Sequence, residues 1–155
     1  MKTLVALALV SLFAVGSAHA VGLAVGPYVT TQSDDGDGTA GPFVSGFFSV
    51  MPRLVVELGY DASGEGAGES MTRLGGHYSV LTSYDADLTL GGGLAIRGFG
   101  VELTENGGYI SVAMQTKSDA GSPTYRFGVD VNANFSRDPK PNVTLKTAVV
   151  LALPF

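Results

Sequence analysis

Glu57, His77 and Ser79 are the side chains whose types and spacing could together carry out a reaction. A carboxylate can orient an imidazole, the imidazole can take a hydroxyl proton, and the hydroxyl oxygen can then attack an acyl carbon. A hairpin centred near Gly66, in the glycine-rich stretch GEGAGES, places Glu57 opposite His77, with Ser79 two residues further along the same face. On that register the three side chains point inward and toward the turn side, and no oxyanion donors or substrate groove can be identified around them. The preferred reading is therefore ionic, with Glu57 the partner of His77 or Arg73, and leans away from an enzyme.

Other sites are poorer still. Asp35 and Asp37, in Asp35-Gly-Asp37-Gly, resemble a fragment of a calcium loop, but the remaining ligands and the closing Glu are missing, so they read as a solvated acidic loop and no metal is expected. The same reading covers Asp34, Asp61, Glu65, Glu69, Glu102 and Glu105, which are assigned to loops. GEGAGE lacks the lysine of a phosphate loop, and no cofactor is expected.

The elements that must position these residues begin after the first twenty. MKTLVALALVSLFAVGSAHA has a basic Lys2, an apolar core from Leu4 to about Gly16 and small residues at Ala18 and Ala20, the pattern of a secretory signal peptide cleaved after Ala20. Residues 21–155 suit one domain, with no linker or repeat dividing them. Beyond Lys2 there are eight Lys and Arg against fourteen Asp and Glu, a net charge of −6, which makes nucleic acid an unsuitable partner. There is no cysteine, so disulfides do not hold this exported domain together, and the source reads as bacterial. No run of 18 apolar residues follows the signal to make a membrane helix, although hydrophobic residues are 45% of the chain.

The apolar residues instead alternate. In YRFGVDVNANFS one face carries Tyr125, Phe127, Val129, Val131, Ala133 and Phe135, and the other Arg126, Gly128, Asp130, Asn132, Asn134 and Ser136. That is a strand with one apolar and one polar face, long enough when tilted to cross a bilayer core. Further strands fit Leu23 to Thr31, Phe43 to Val50, Arg53 to Tyr60, Thr72 to Val80, Tyr84 to Arg97, Tyr109 to Lys117 and Val143 to Phe155, eight in all. Connections after the odd strands are rich in Gly, Asp, Glu or Asn, and those after the even strands are Met51-Pro52-Arg53, Leu81-Thr82-Ser83 and Ser118 to Pro123, turn residues at the regular spacing of an up-and-down antiparallel order. Tyr28, Phe43, Tyr60, Phe99, Tyr109 and Phe135 fall near loop-side ends, and Tyr78, Tyr84, Tyr125 and Phe155 near turn-side ends, which predicts two outward aromatic girdles.

Phe155 ends the sequence, with Leu153, Leu151 and Val149 at alternate positions behind it. This resembles the C-terminal assembly signal of bacterial outer-membrane barrels. Residues 21–155 resemble the small eight-stranded outer-membrane β-barrel proteins, the class of the OmpA transmembrane domain and OmpX-like proteins. The resemblance implies an all-β, eight-stranded antiparallel up-and-down transmembrane β-barrel in the bacterial outer membrane, assembled by the barrel-assembly machinery. Its partners would be outer-membrane lipid and lipopolysaccharide, and its role structural or surface-interacting. Ala148, Val150, Ala152 and Pro154 depart from the pattern by making the other face of the last strand apolar as well, as in a strand buried on both faces of a soluble sandwich.

An eight-stranded barrel is just wide enough for side chains to fill it, so an open pore is not expected. The inward faces supply Glu57, Arg73, His77, Asp87, Arg97, Lys117, Arg126, Asp130, Asn132, Asn134 and Lys146, read as a structural network of paired charges. His77-Tyr78-Ser79 is also similar to the His-x-Ser element of lipid A deacylases, themselves eight-stranded barrels that act on lipid from the outer surface. A lipid A-modifying acyl hydrolase is thus the first alternative, and a soluble exported ligand-binding β-barrel the second.

Overall fold

The computed structural model describes residues 21–32, 38–63, 70–98, 105–117, 123–135 and 141–153. The signal-peptide reading, Asp35 and Asp37, Phe99 and Phe155 lie outside these residues. Eight strands are described: β1 Val21–Gln32, β2 Thr39–Met51, β3 Leu54–Asp61, β4 Met71–Thr82, β5 Ala86–Arg97, β6 Glu105–Thr116, β7 Thr124–Asn134 and β8 Asn142–Leu153. Each pairs antiparallel with its neighbours in sequence, and β1 pairs with β8, closing the sheet into an eight-stranded barrel. Closure removes both sheet edges, which a sandwich would leave open.

β2 begins at Thr39, four residues before the expected start, and so includes Pro42. Proline is tolerated there because Pro42 faces Pro27 across β1–β2, while its carbonyl accepts the Ala62 N–H on the β3 side at 2.9 Å. The turn joining β2 to β3 is Pro52–Arg53, where Arg53 takes a positive φ of 76° and its carbonyl accepts the Ser79 N–H at 2.8 Å. Arg53 therefore belongs to the turn and not to the inward face of β3.

Burial follows the two-residue period. On β8, Thr144, Lys146, Ala148 and Val150 are buried, while Val143, Leu145, Val149 and Leu151 are exposed. Val25, Val44, Leu74, Leu90, Leu94, Ile110, Val112, Phe127 and Val129 likewise face outward from the other strands. The second apolar face of β8 is explained by the interior. Ala148 and Val150 pack with Ala24, Phe43 and Phe47, an apolar cluster inside the barrel beside the charged residues.

The girdle expectation needs correction. Tyr60 and Phe135 at the loop side, and Tyr78, Tyr84 and Tyr125 at the turn side, are exposed, but Tyr28, Phe43 and Tyr109 are buried inside. The reason is parity. Tyr28 shares its face with Ala24 and Thr30, and Tyr109 shares its face with Ser111 and Ala113, all of them inward.

Candidate functional site

The chemistry-bearing side chains gather inside the barrel, where β3 and β4 face β7 and β8. Arg73 is 1% exposed and stands at the centre. Its Nη2 donates to Asp61 Oδ1 at 2.9 Å and lies 3.6 Å from Glu57 Oε1, while Nη1 donates to Asp130 Oδ2. From the opposite wall, Lys146 Nζ lies 2.7 Å from Asp61 Oδ2 and 3.2 Å from Asp130 Oδ2. Ser45 on β2 donates to Glu57 Oε1 at 2.7 Å. Charges so deeply buried would be prohibitive singly. Here each carboxylate meets a cation, and the planar guanidinium reaches three acids at once.

The aromatic rings inside serve the same cations. Arg73 lies over Tyr109 at 5.6 Å, Lys146 over Phe43 at 5.1 Å and Arg126 over Phe47 at 5.1 Å from the ring centroids. A cation over a ring face gains from the ring's negative quadrupole, the more so away from water.

Glu57 pairs in register with Gly75, and His77 with Val55, so the hairpin is set two residues away from the expected alignment of Glu57 with His77. The side chains still meet diagonally, with His77 Nε2 2.5 Å from Glu57 Oε2. His77 Nδ1 faces Arg126 Nη2 at 3.3 Å. Both ring nitrogens are thus occupied by Glu57 and Arg126. Ser79 shares the inward face of β4 but is not the group that His77 faces, so the hydroxyl–imidazole contact of an acyl-transfer set is not assembled.

Glycine makes room for these rings. A Cβ at Gly75 would run into the Tyr109 hydroxyl and the Gly92 carbonyl, and one at Gly91 into the His77 imidazole. Gly75→Ala is expected to cost about 1 to 3 kcal/mol in urea unfolding, the usual range for overpacking. Because the buried Tyr109 hydroxyl has no hydrogen-bond partner among the described residues, Tyr109→Phe should be near neutral, and in the double variant it should recover part of the loss. Additive losses would show that Gly75 and Tyr109 do not share this space.

Asp87 and Lys117 pair at 3.2 Å near the turn-side end, both partly exposed. Arg97 is half-buried at the loop-side end of β5, in register with Met71 and Glu105. Asn132 donates to Asn142 Oδ1 at 2.9 Å and to Thr144 Oγ1 at 3.0 Å in a polar layer above the ions. Asp61 is the main residue that sequence reasoning misplaced. Assigned to a loop together with the other acidic residues, it is 1% exposed and anchors both Arg73 and Lys146. Its parity with Glu57 and Gly59 was the available signal. Among the described residues no group of three or more His, Asp or Glu side chains is disposed to hold a metal ion.

A cavity of about 20 Å3 lies among these groups, lined by Phe43, Phe47, Glu57, Arg73, Arg126 and Lys146 with smaller neighbours. That is room for about one or two water molecules.

No protein-family model matches the chain, and no curated protein does. A solved structure described as "De novo design of transmembrane beta-barrels" is similar in fold, with a TM-score of 0.56 at 15% sequence identity, over 88% of this chain and 98% of that one. The likeness establishes the eight-stranded barrel architecture.

Proposed function

We propose that this chain is a small integral barrel protein of the bacterial outer membrane, with a side-chain-filled interior, no open pore, and a structural or surface-interaction role. The observation that carries this reading is the inversion of polarity: the outer face of the closed barrel is apolar from strand to strand, while ion pairs lie inside. A barrel in water would hide the first set and expose the second. In a bilayer, by contrast, closed hydrogen bonding and an apolar outer band are both required. Three further features support the reading. The first twenty residues have signal-peptide character, Tyr60, Phe135, Tyr78, Tyr84 and Tyr125 lie at the two ends of the outer face, and Phe155 follows Leu153 and Leu151 in the pattern of an assembly signal. Lipid and lipopolysaccharide would be its immediate partners, and the barrel-assembly machinery its route into the membrane. Within this reading the ion network fixes register, since a one-residue slip would send its charges to the lipid face.

The protein is expected to sediment with outer membranes and to migrate differently on gels before and after heating, because a closed barrel resists detergent. Recovery as a soluble periplasmic or secreted monomer would overturn the proposal. Deleting Phe155 should lower the assembled fraction far more than deleting Gly38 from a loop-side connection, and equal assembly would remove Phe155 from the signal.

A further inference from the structure

We propose that His77 is a proton-binding site that controls where the Arg126 guanidinium rests, and that Asp87 receives the guanidinium when His77 is protonated. Glu57 accepts and Arg126 only donates, so one state of the imidazole satisfies both neighbours: neutral, with its hydrogen on Nε2 toward Glu57 at 2.5 Å and the Nδ1 lone pair toward Arg126 at 3.3 Å. A second proton can go only to Nδ1. It would set an N–H against an N–H and a positive charge against a positive charge. Glu57 holds the imidazolium from its other side, so Arg126 is the group that must leave.

The other neighbours do not alter this balance. Phe47 on β2 and Tyr109 on β6 meet the imidazole with their rings at 6.2 and 6.5 Å, and Gly91 on β5 offers no side chain. Arg73 on the same strand, and Lys146 on β8, are engaged by Asp61 and Asp130. Glu57, Asp61 and Asp130 balance Arg73, Lys146 and Arg126 while His77 is neutral. Protonation therefore leaves one surplus positive charge at the centre, and departure of Arg126 removes it.

A destination is built into the register. Arg126 on β7 pairs with Gln115 on β6, and Gln115 pairs with Asp87 on β5, so the three stand in one row at the turn side. Two strand spacings separate the ends of that row, about 10 Å, which an arginine side chain can span. Among the described residues no carboxylate forms a close ion pair with Arg126, whose direct contacts are His77 and the Phe47 ring, while Glu57 and Asp130 attract it from further off. The Asp87 Oδ1 atom lacks a hydrogen bond there. Lys117, 3.2 Å from that atom, has a second anchor in the Ser83 carbonyl at 2.7 Å, so it can yield. Arg126 also lines the internal cavity.

The test is nitrogen and proton NMR of the full barrel chain, folded in detergent micelles and titrated from about pH 7.5 to about pH 5. At the upper limit the His77 imidazole should be neutral with its proton on Nε2, and the Arg126 side-chain protons should be shifted upfield by the Phe47 ring. That upfield shift should disappear with the same midpoint as imidazole protonation. In His77→Gln the amide accepts from Arg126 and donates to Glu57 as the neutral imidazole does, so the shift should persist throughout. In Asp87→Asn the receiving carboxylate is gone, so the Arg126 side-chain signals of the low-pH state should differ from those of the unsubstituted barrel. A proton on Nδ1 at the upper limit, an imidazole neutral throughout, protonation without movement of Arg126, or the same loss in His77→Gln would overturn the proposal. Low-pH Arg126 signals left unchanged by Asp87→Asn would overturn the assigned destination.

Discussion

Arg73→Ala is expected to destabilise the barrel by about 3 to 5 kcal/mol, the range for breaking a fully buried ion pair from one side. Arg73 is the single group that touches Glu57, Asp61 and Asp130. Without it Lys146 must serve two carboxylates, and Glu57 keeps only His77 and Ser45. The cost arises from carboxylates stranded away from water, so it should shrink when they are neutralised. Arg73→Met combined with Asp130→Asn, which leaves Lys146 paired with Asp61, is predicted to be closer to wild type than Arg73→Ala alone. Arg73→Lys should fall between, because an ammonium keeps the charge but lacks the fork that reaches three acids. Urea unfolding of the barrel in lipid vesicles measures all three. A loss under about 1 kcal/mol for Arg73→Ala would mean that water screens the interior as it does a protein surface.

Val129→Arg should destabilise by about 2 to 4 kcal/mol in the same vesicles, the cost of a cation on a barrel's outer face near the bilayer midplane. Val129 is at the middle of β7, exposed, and flanked in register by Val112 and Leu145, which are exposed as well. The charge would therefore find no partner there. Asn132→Ala, three residues away on the buried face, removes donors to Asn142 and Thr144 and should cost only about 1 kcal/mol. Equal effects of the two substitutions would show that the outer face is not in lipid.

Much of the architecture was legible because alternation is a local property. The pleat of a strand sends successive side chains to opposite faces, so Tyr125 to Ser136 declares both of its faces without reference to any other strand. Eight such segments, joined by turn-rich connections at regular spacing, then admit few arrangements, and the closed up-and-down barrel is the one observed. Where a strand's two faces are similar in polarity, the signal weakened. Tyr28, Phe43 and Tyr109 read as girdle residues and lie inside, and Asp61 read as loop and lies at the centre.

Strand number, strand order and, for most strands, the apolar face follow from local pattern. Which inward residues meet is settled by the closed fold. Glu57 reaches His77 diagonally across β3 and β4, not directly, and His77 turns its other nitrogen to Arg126 instead of Ser79. Asp61 finds Lys146 across the barrel, 85 residues further along the chain. Such pairings depend on strand tilt, on the stagger of the ladders and on closure of β1 against β8, properties of the whole barrel that the period of a single strand does not contain.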